Sequence, residues 1–428
     1  MLANEPKYIR YVELLRKELI PATGCTEPVA IAYAAALARN ELETLPDKVV
    51  TEVSGNILKN VKGVVVPNTG GLKGVKAAAA AGIIAGDSEK ILSVISAVSE
   101  KQKEELCSYL KEASFSVNLV DKGQLFDIII TLYAGSSYAK VRISDFHTNV
   151  VLIEKNGKII FSSEKKIDST ETASDVSMEL SLNVDSIIDF ADTVRLEDVE
   201  DLIARQIAFN SAISNEGLKG NYGANIGKLL RNNYGDDIKT RAKAAAAAGS
   251  DARMSGCEMP VIIVTGSGNQ GMTASLPVIE YANEWGKSRE SLIRALVLSD
   301  LMTVHLKSGI GTLSAYCGVV SAGAAAGAGI AYLHGGRKKE ISQTVVNALA
   351  IVSGIVCDGA KPSCAAKIVS AVDAGIMGFE MYNNGQQFCP GDGLVAADVE
   401  DTIRNIGRLG KEGMKTTDTE IIKMMMDE

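Results

Sequence analysis

GIGTLSAYCGVVSAGAAAGAGIAYL, residues 309–333, carries no charge and is long enough to cross a bilayer. Its makeup argues against that reading. Gly, Ala and Ser gain little from hydrocarbon, whereas small side chains suit a helix enclosed by other helices in a water-soluble core. The same texture recurs in RAKAAAAAG (241–249) and AAKIVSAVDAGIMG (365–378), so several closely packed helices are expected around a compact interior. From residue 174 to the end the pattern is almost wholly helical.

Upstream the texture changes. TEVSGNI (51–57), FSVNLV (115–120), FDIIITLYA (126–134), YAKVRIS (138–144), NVVLIEK (149–155) and KIIFSSE (158–164) are short, β-branched runs punctuated by turn residues. Two stretches read as helical between them, KAAAAAGIIAG (76–86) and EKILSVISAVSEKQKEELCSYLKEA (89–113). Before them, residues 7–20 and VAIAYAAALARNEL (29–42) read as two helices separated by the loop PATGCTEP (21–28). The expected fold class is α+β: a mainly helical domain carrying the site, with a smaller inserted α+β domain rich in antiparallel strands. The expected divisions are 1–45, helices packing on the helical domain; 46–170, the α+β domain; and 171–428, the Ala/Gly-rich helical domain. The polar stretch SSEKKIDSTETASD (162–175) marks the boundary.

Lys and Arg number 44 against 52 Asp and Glu, for a net charge of -8, and there is no basic run to follow a phosphate backbone. Nucleic acid is excluded as a partner on that ground. The N-terminus mixes charges through an amphipathic pattern with no export signal, so a cytoplasmic location with no membrane partner is expected. The Gly/Ala-rich helical surface is compatible with a homodimer.

Seven cysteines without a secretory context point to metal, catalysis or plain burial rather than to disulfides. Cys357 and Cys364 belong to one short loop, CDGAKPSC, and Cys364 follows Pro362, which suits an early helical position. Cys317 is expected just inside the helix that follows the turn KSGIGT (307–312). Three thiols at element ends can converge on one point. Spacing alone leaves three readings open: inert buried thiols, a zinc site, or an iron-sulfur cluster. Zinc has little to draw on, because His147, His305 and His334 are the only histidines and none neighbours these cysteines in sequence. A cluster held by three thiolates instead of four would leave one iron with an open position. Of the others, Cys107 is expected in the core and Cys257 near the site without a task, while Cys389 is the one further candidate for a fourth ligand.

GSGNQG (266–271) comes after a strand-like run and precedes a helix, matching the dinucleotide fingerprint formally. The next segment, SRESLIRALVLSDLMTVHL (288–306), is another helix, so the β-α-β unit is missing. A glycine turn that opens a helix still favours an anion, and Ser267, Asn269 and Gln270 are expected to seat the carboxylate of a small substrate. Polar turns at Ser54 and Asn56, and at Asn68 and Thr69, read as ordinary turns. Cys25 lies just before a helix, where the N-terminus lowers a thiol pKa; Glu27 opposes this.

The segments ELIPATGCTEPVAIAYAAA, VSGNILKN, GSGNQG, GTLSAYCGVVSAGAAAGAG and VCDGAKPSCAAKIVSA, spread over nearly the whole chain, resemble the motifs of the L-cysteine desulfidase family, a relative of the bacterial iron-sulfur L-serine dehydratases. The resemblance implies one 4Fe-4S cluster per chain held by Cys317, Cys357 and Cys364, with Cys25 as proton acceptor. It further implies a small amino-acid substrate, L-cysteine, degraded to pyruvate, ammonia and hydrogen sulfide. Two alternatives stand beside it: an iron-sulfur L-serine dehydratase, and a non-enzymatic iron-sulfur sensor. The last residues, TTDTEIIKMMMDE (416–428), contain no cysteine, a departure from the dehydratase pattern.

Overall fold

The computed structural model describes residues 1–120, 124–163, 182–311 and 314–426. Its helices are α1 Pro6–Glu18, α2 Thr26–Leu42, α3 Gly55–Val61, α4 Gly74–Ala85, α5 Glu100–Glu112, α6 Val184–Thr193, α7 Glu200–Lys219, α8 Ile226–Tyr234, α9 Ile238–Met254, α10 Gly268–Glu284, α11 Arg289–Ser308, α12 Val319–His334, α13 Lys338–Ile351, α14 Cys364–Asn383, α15 Val399–Arg408 and α16 Lys415–Met426. The strands are β1 Pro21–Thr23, β2 Lys48–Val53, β3 Ser114–Leu119, β4 Asp127–Ala134, β5 Ser137–Ser144, β6 Val150–Lys155, β7 Lys158–Ser162 and β8 Pro260–Ile262. The fold is α+β with a mainly helical body.

Six strands form one sheet in the order β3-β2-β4-β5-β6-β7, in which only the β2–β3 pair is parallel. α2 and α4 cover it, and their Ala-rich faces close a core with Val49, Ile128, Ile130, Val141 and Ile143. A second core gathers α1, β8, α6, α7 and the helices from α9 to α15. Here one expectation is corrected. Of the first 45 residues only α1 packs on the helical body; α2 belongs to the sheet's core. The reason is that α2 is apolar nearly all round and has no polar face to aim it, so neighbours decide its place. The expected boundary at 170/171 lies outside the described residues.

At the centre of the body, α12 is buried from Val319 to Leu333. Small residues allow it to touch α14 backbone to backbone: a Cβ on Gly375 would stand 2.1 Å from the Gly323 carbonyl oxygen, and one on Gly327 would stand 2.5 Å from that of Gly375. Among the described residues no helix is long and apolar enough to cross a membrane.

Residues 89–113 are not one helix. A short 3-10 turn covers Ser88–Ser93, and α5 starts only at Glu100, where Ser99 and Gln102 form a capping box. Cys107, expected in the core, is exposed, because Leu106 and Tyr109 take the inward face of α5.

Asp300 on α11 is fully buried, with Gln206 Nε2 as its donor at 2.9 Å, and burial pushes its carboxyl up to about 8. The raised folded value makes the neutral acid the stable form. Its contribution to stability is complete below the unfolded value of about 3.9 and is lost as pH rises through about 8. Asp300→Asn removes this dependence, so thermal melts at pH 5 and pH 9 should show wild type losing more stability than the variant. Gly375→Val, by overpacking the α12–α14 contact, should cost about 1–3 kcal/mol in urea unfolding.

Candidate active site

A short antiparallel ladder brings the chain's two polar loops together. β1 pairs with β8 at Pro21↔Ile262, Ala22↔Val261 and Thr23↔Pro260. This sets the Cys25 loop beside the glycine loop, where the Thr26 hydroxyl donates to the Gly266 carbonyl at 3.2 Å. β8 is antiparallel to its partner and leads through the turn into α10, so the dinucleotide unit is absent, as expected from the sequence.

A second pairing places two of the three cysteines. Tyr316 and Val356 form an isolated antiparallel bridge; Cys317 N–H donates to Ile355 O at 2.9 Å and Cys357 N–H to Ala315 O at 2.7 Å. Cys317 therefore lies just before α12 rather than inside it, a correction to the expected helix start. The loop to Cys364 is held on three sides. Gly359 has φ +94, and a Cβ there would stand 2.1 Å from the Lys59 carbonyl oxygen, so the loop packs directly on α3. Lys59 Nζ donates to the Cys357 carbonyl at 3.3 Å and to Asp418 on α16 at 2.5 Å. Lys367 Nζ reaches the Val356 carbonyl at 2.7 Å.

These loops enclose a cavity of about 110 Å³ lined by Cys25, Ser267, Asn269, Gln270, Cys317, Cys357 and Cys364 together. The four cysteines and three glycine-loop residues expected at the site all line this one space. Cys257 and Cys389 do not line it; Cys257 is buried in the helical core and Cys389 is exposed. Of the two polar turns of the smaller unit, the first is the start of a helix, with Ser54 capping α3 and Asn56 inside it; at the second, Asn68 donates to Ile95 O and Thr69 to Val66 O.

The thiols differ in character. Cys25 is 3% exposed and its Sγ donates to Glu27 Oε2 at 3.1 Å. Burial, then the Glu27 charge, hold its pKa well above the ordinary thiol value, with Arg253 opposing. Burial and Glu27 outweigh the helix N-terminus, which settles the direction that the sequence leaves open. Cys317 and Cys357 are pushed in opposite directions. The hydrogen bond from Cys317 lowers Cys357 and raises Cys317, and Lys59 adds to the lowering of Cys357. Burial raises Cys364.

Several lining residues were not foreseen. Arg253, at the end of α9, is 2% exposed; its Nη1 donates to Asn269 Oδ1 at 3.3 Å, its Nε has no partner, and it forms no ion pair among the described residues. An unpaired buried guanidinium is costly unless an anion meets it. Lys307 is buried beside Cys357 and Cys317, and desolvation brings its ammonium down to about 8. His147 arrives from the β5–β6 loop, and its enclosed Nε2 has no partner. Asn60 holds the second Glu27 oxygen at 3.3 Å. A lone Arg closing an Ala-rich helix was the one signal available for Arg253; His147, Lys307 and Asn60 gave none.

Among the described residues, no three His, Cys, Asp or Glu side chains are grouped to hold a metal ion. An iron-sulfur cluster makes a different demand, since each thiolate binds its own iron and the sulfurs stand apart. Three thiols on one cavity wall, with Lys59, Lys307 and Lys367 behind them, suit an anionic thiolate-bound group. Glu27 and His147 line the same cavity, but Glu27 is taken by Cys25 and Asn60, and the three-thiol donor set fits iron-sulfur. Gly359→Ala, which forces the loop off α3, should leave less than about half the iron per chain after anaerobic reconstitution, read by metal analysis.

A family model described as "Serine dehydratase alpha chain" matches residues 89–423, a span that includes the three cysteines and the glycine loop but not Cys25. The chain is 60% identical to UPF0597 protein DSY1109 of Desulfitobacterium hafniense, over 98% of this chain and 97% of that one. It is 48% identical to a UPF0597 protein of Lachnoclostridium phytofermentans, over 98% and 100% of the two chains. A UPF0597 protein of Treponema denticola is 45% identical, with both chains covered over 100%.

Proposed function

The chain belongs to the serine dehydratase alpha chain family, and from that premise we propose that it is an iron-sulfur lyase that eliminates the β-substituent of a small amino acid, L-cysteine first. The observation that carries the reading is the convergence of Cys317, Cys357 and Cys364 with Cys25 and an unpaired Arg253 on one buried cavity.

In this reading Cys317, Cys357 and Cys364 hold a 4Fe-4S cluster. When bound, such a group supplies an iron free of protein thiolates, a Lewis acid toward the leaving sulfur. The rest falls to the chain. Arg253, with Asn269 oriented by its Nη1, seats the substrate carboxylate against the first turn of α10, whose N–H groups lack helical acceptors. Ser267 makes no capping bond of its own and Gln270 is fixed by the Thr265 hydroxyl at 2.8 Å, so both present settled polar groups to the same anion. Cys25 takes the Cα proton as general base. Its thiol is protonated at rest, and the Glu27 carboxylate, held by Asn60, accepts that proton first. Elimination yields hydrogen sulfide and aminoacrylate, which tautomerises and hydrolyses to pyruvate and ammonia.

L-Serine is the second reading, because it is the substrate the family's description names. The desulfidase-like PATGCTEP loop favours cysteine. Anaerobically reconstituted protein should release sulfide from L-cysteine faster than it forms pyruvate from L-serine; the reverse ratio would assign it to serine. Cys25→Ala should keep the brown chromophore and lose at least about a hundredfold in kcat. Loss of the chromophore instead would make Cys25 a ligand. Arg253→Met should raise KM by about tenfold or more, the effect of removing a charged partner from a buried carboxylate.

A further inference from the structure

We propose that this site also accepts L-cysteine carrying an apolar substituent on sulfur, and that the substituent occupies a second cavity adjoining the first. The inference rests on the lyase reading above and extends its substrate class.

Beside the catalytic cavity of about 110 Å³ lies a larger one of about 480 Å³. His147, Thr265, Gly266 and Lys307 line both, so the two spaces adjoin along these four residues. The smaller cavity has a direction. Arg253 and the start of α10 form an anionic seat at one part, while Lys307 stands beside Cys317 and Cys357 at another. An amino acid held by its carboxylate at Arg253, with its β-sulfur toward the three thiols, therefore carries any atoms beyond sulfur toward Lys307 and the larger space.

The walls of that space select the chemistry. Ile20, Leu92, Phe146, Ile263 and Val304 supply apolar surface from both cores. Glu18, which also lines it, is already engaged as acceptor of the Thr265 N–H at 2.8 Å. Free cysteine ends at sulfur and leaves these walls unused. A benzyl or alkyl group would be removed from water against them, and apolar burial is favourable in proportion to area.

The reaction balances as for cysteine. The Cα–H and Cβ–S bonds break, the proton goes to the base, and the electron pair leaves with sulfur. That sulfur is reprotonated to the free thiol, and aminoacrylate takes up water to give pyruvate and ammonia. Nothing is oxidised or reduced.

The test compares S-benzyl-L-cysteine with L-cysteine on reconstituted full-length enzyme, reading pyruvate and released thiol. Ser308, which lines only the larger cavity, is changed to Phe to fill it; Phe146→Ala strips an apolar wall and serves if the first variant does not fold. Wild type should turn over both substrates. Each variant should lower kcat/KM for the S-benzyl compound by about tenfold or more while L-cysteine stays within about twofold. Turnover of cysteine without turnover of S-benzylcysteine overturns the subsite and leaves the lyase reading intact. An equal fall on both substrates also overturns it. Turnover of neither overturns both readings.

Discussion

The three-residue ladder of β1 on β8 is the constraint on which the site depends. Pro21–Thr23 leaves the helical body at α1 and delivers the chain to α2 in the sheet's core, so this ladder is the junction between two hydrophobic cores. Because β8 runs straight into the glycine turn, fixing Cys25 and fixing the start of α10 are one event. Thr265 shows the tension of that junction: it has φ +49, a left-handed conformation unusual for a β-branched residue, and its N–H is tied to Glu18. Strain of this kind persists only where the surroundings over-determine it.

Electrostatics then decides what the cavity can hold. Four thiols and the Glu27 carboxylate share one cavity with Arg253, Lys59 and Lys307, and all three cations are buried. Lys59 is satisfied by Asp418 and a carbonyl, but Arg253 has no such answer among the described residues. The cavity therefore has two distinct appetites: a thiolate-bound group on the Cys317–Cys357–Cys364 wall, and a small anion at Arg253. In the proposed reading, an α-amino acid with a leaving group on its β-carbon meets both at once, which favours a lyase over a sensor.

Much of this was legible in the sequence, for physical reasons that also explain the rest. Runs of Ala and Gly such as 321–332 announce close helix packing, and they pack so in the structure. β-Branched runs between turn residues announced the sheet. CDGAKPSC put two cysteines within one loop, yet Cys317 is aligned with them by the Tyr316↔Val356 bridge, a non-local pairing with no local signature. α2 was assigned to the wrong core because a helix apolar on every side carries no direction. The net direction of the Cys25 pKa is left open by its sequence neighbours because burial, which a sequence does not print, outweighs the helix end. His147, Lys307 and Asn60 come from three separate segments, and only the fold makes them neighbours.

The most direct test of the account is Mössbauer spectroscopy of the anaerobically reconstituted protein before and after addition of L-cysteine. The account predicts one 4Fe-4S cluster per chain with a single distinct iron site, whose signal alone shifts when L-cysteine is added. A cluster with four equivalent irons that ignores L-cysteine, or no cluster at all, would contradict it.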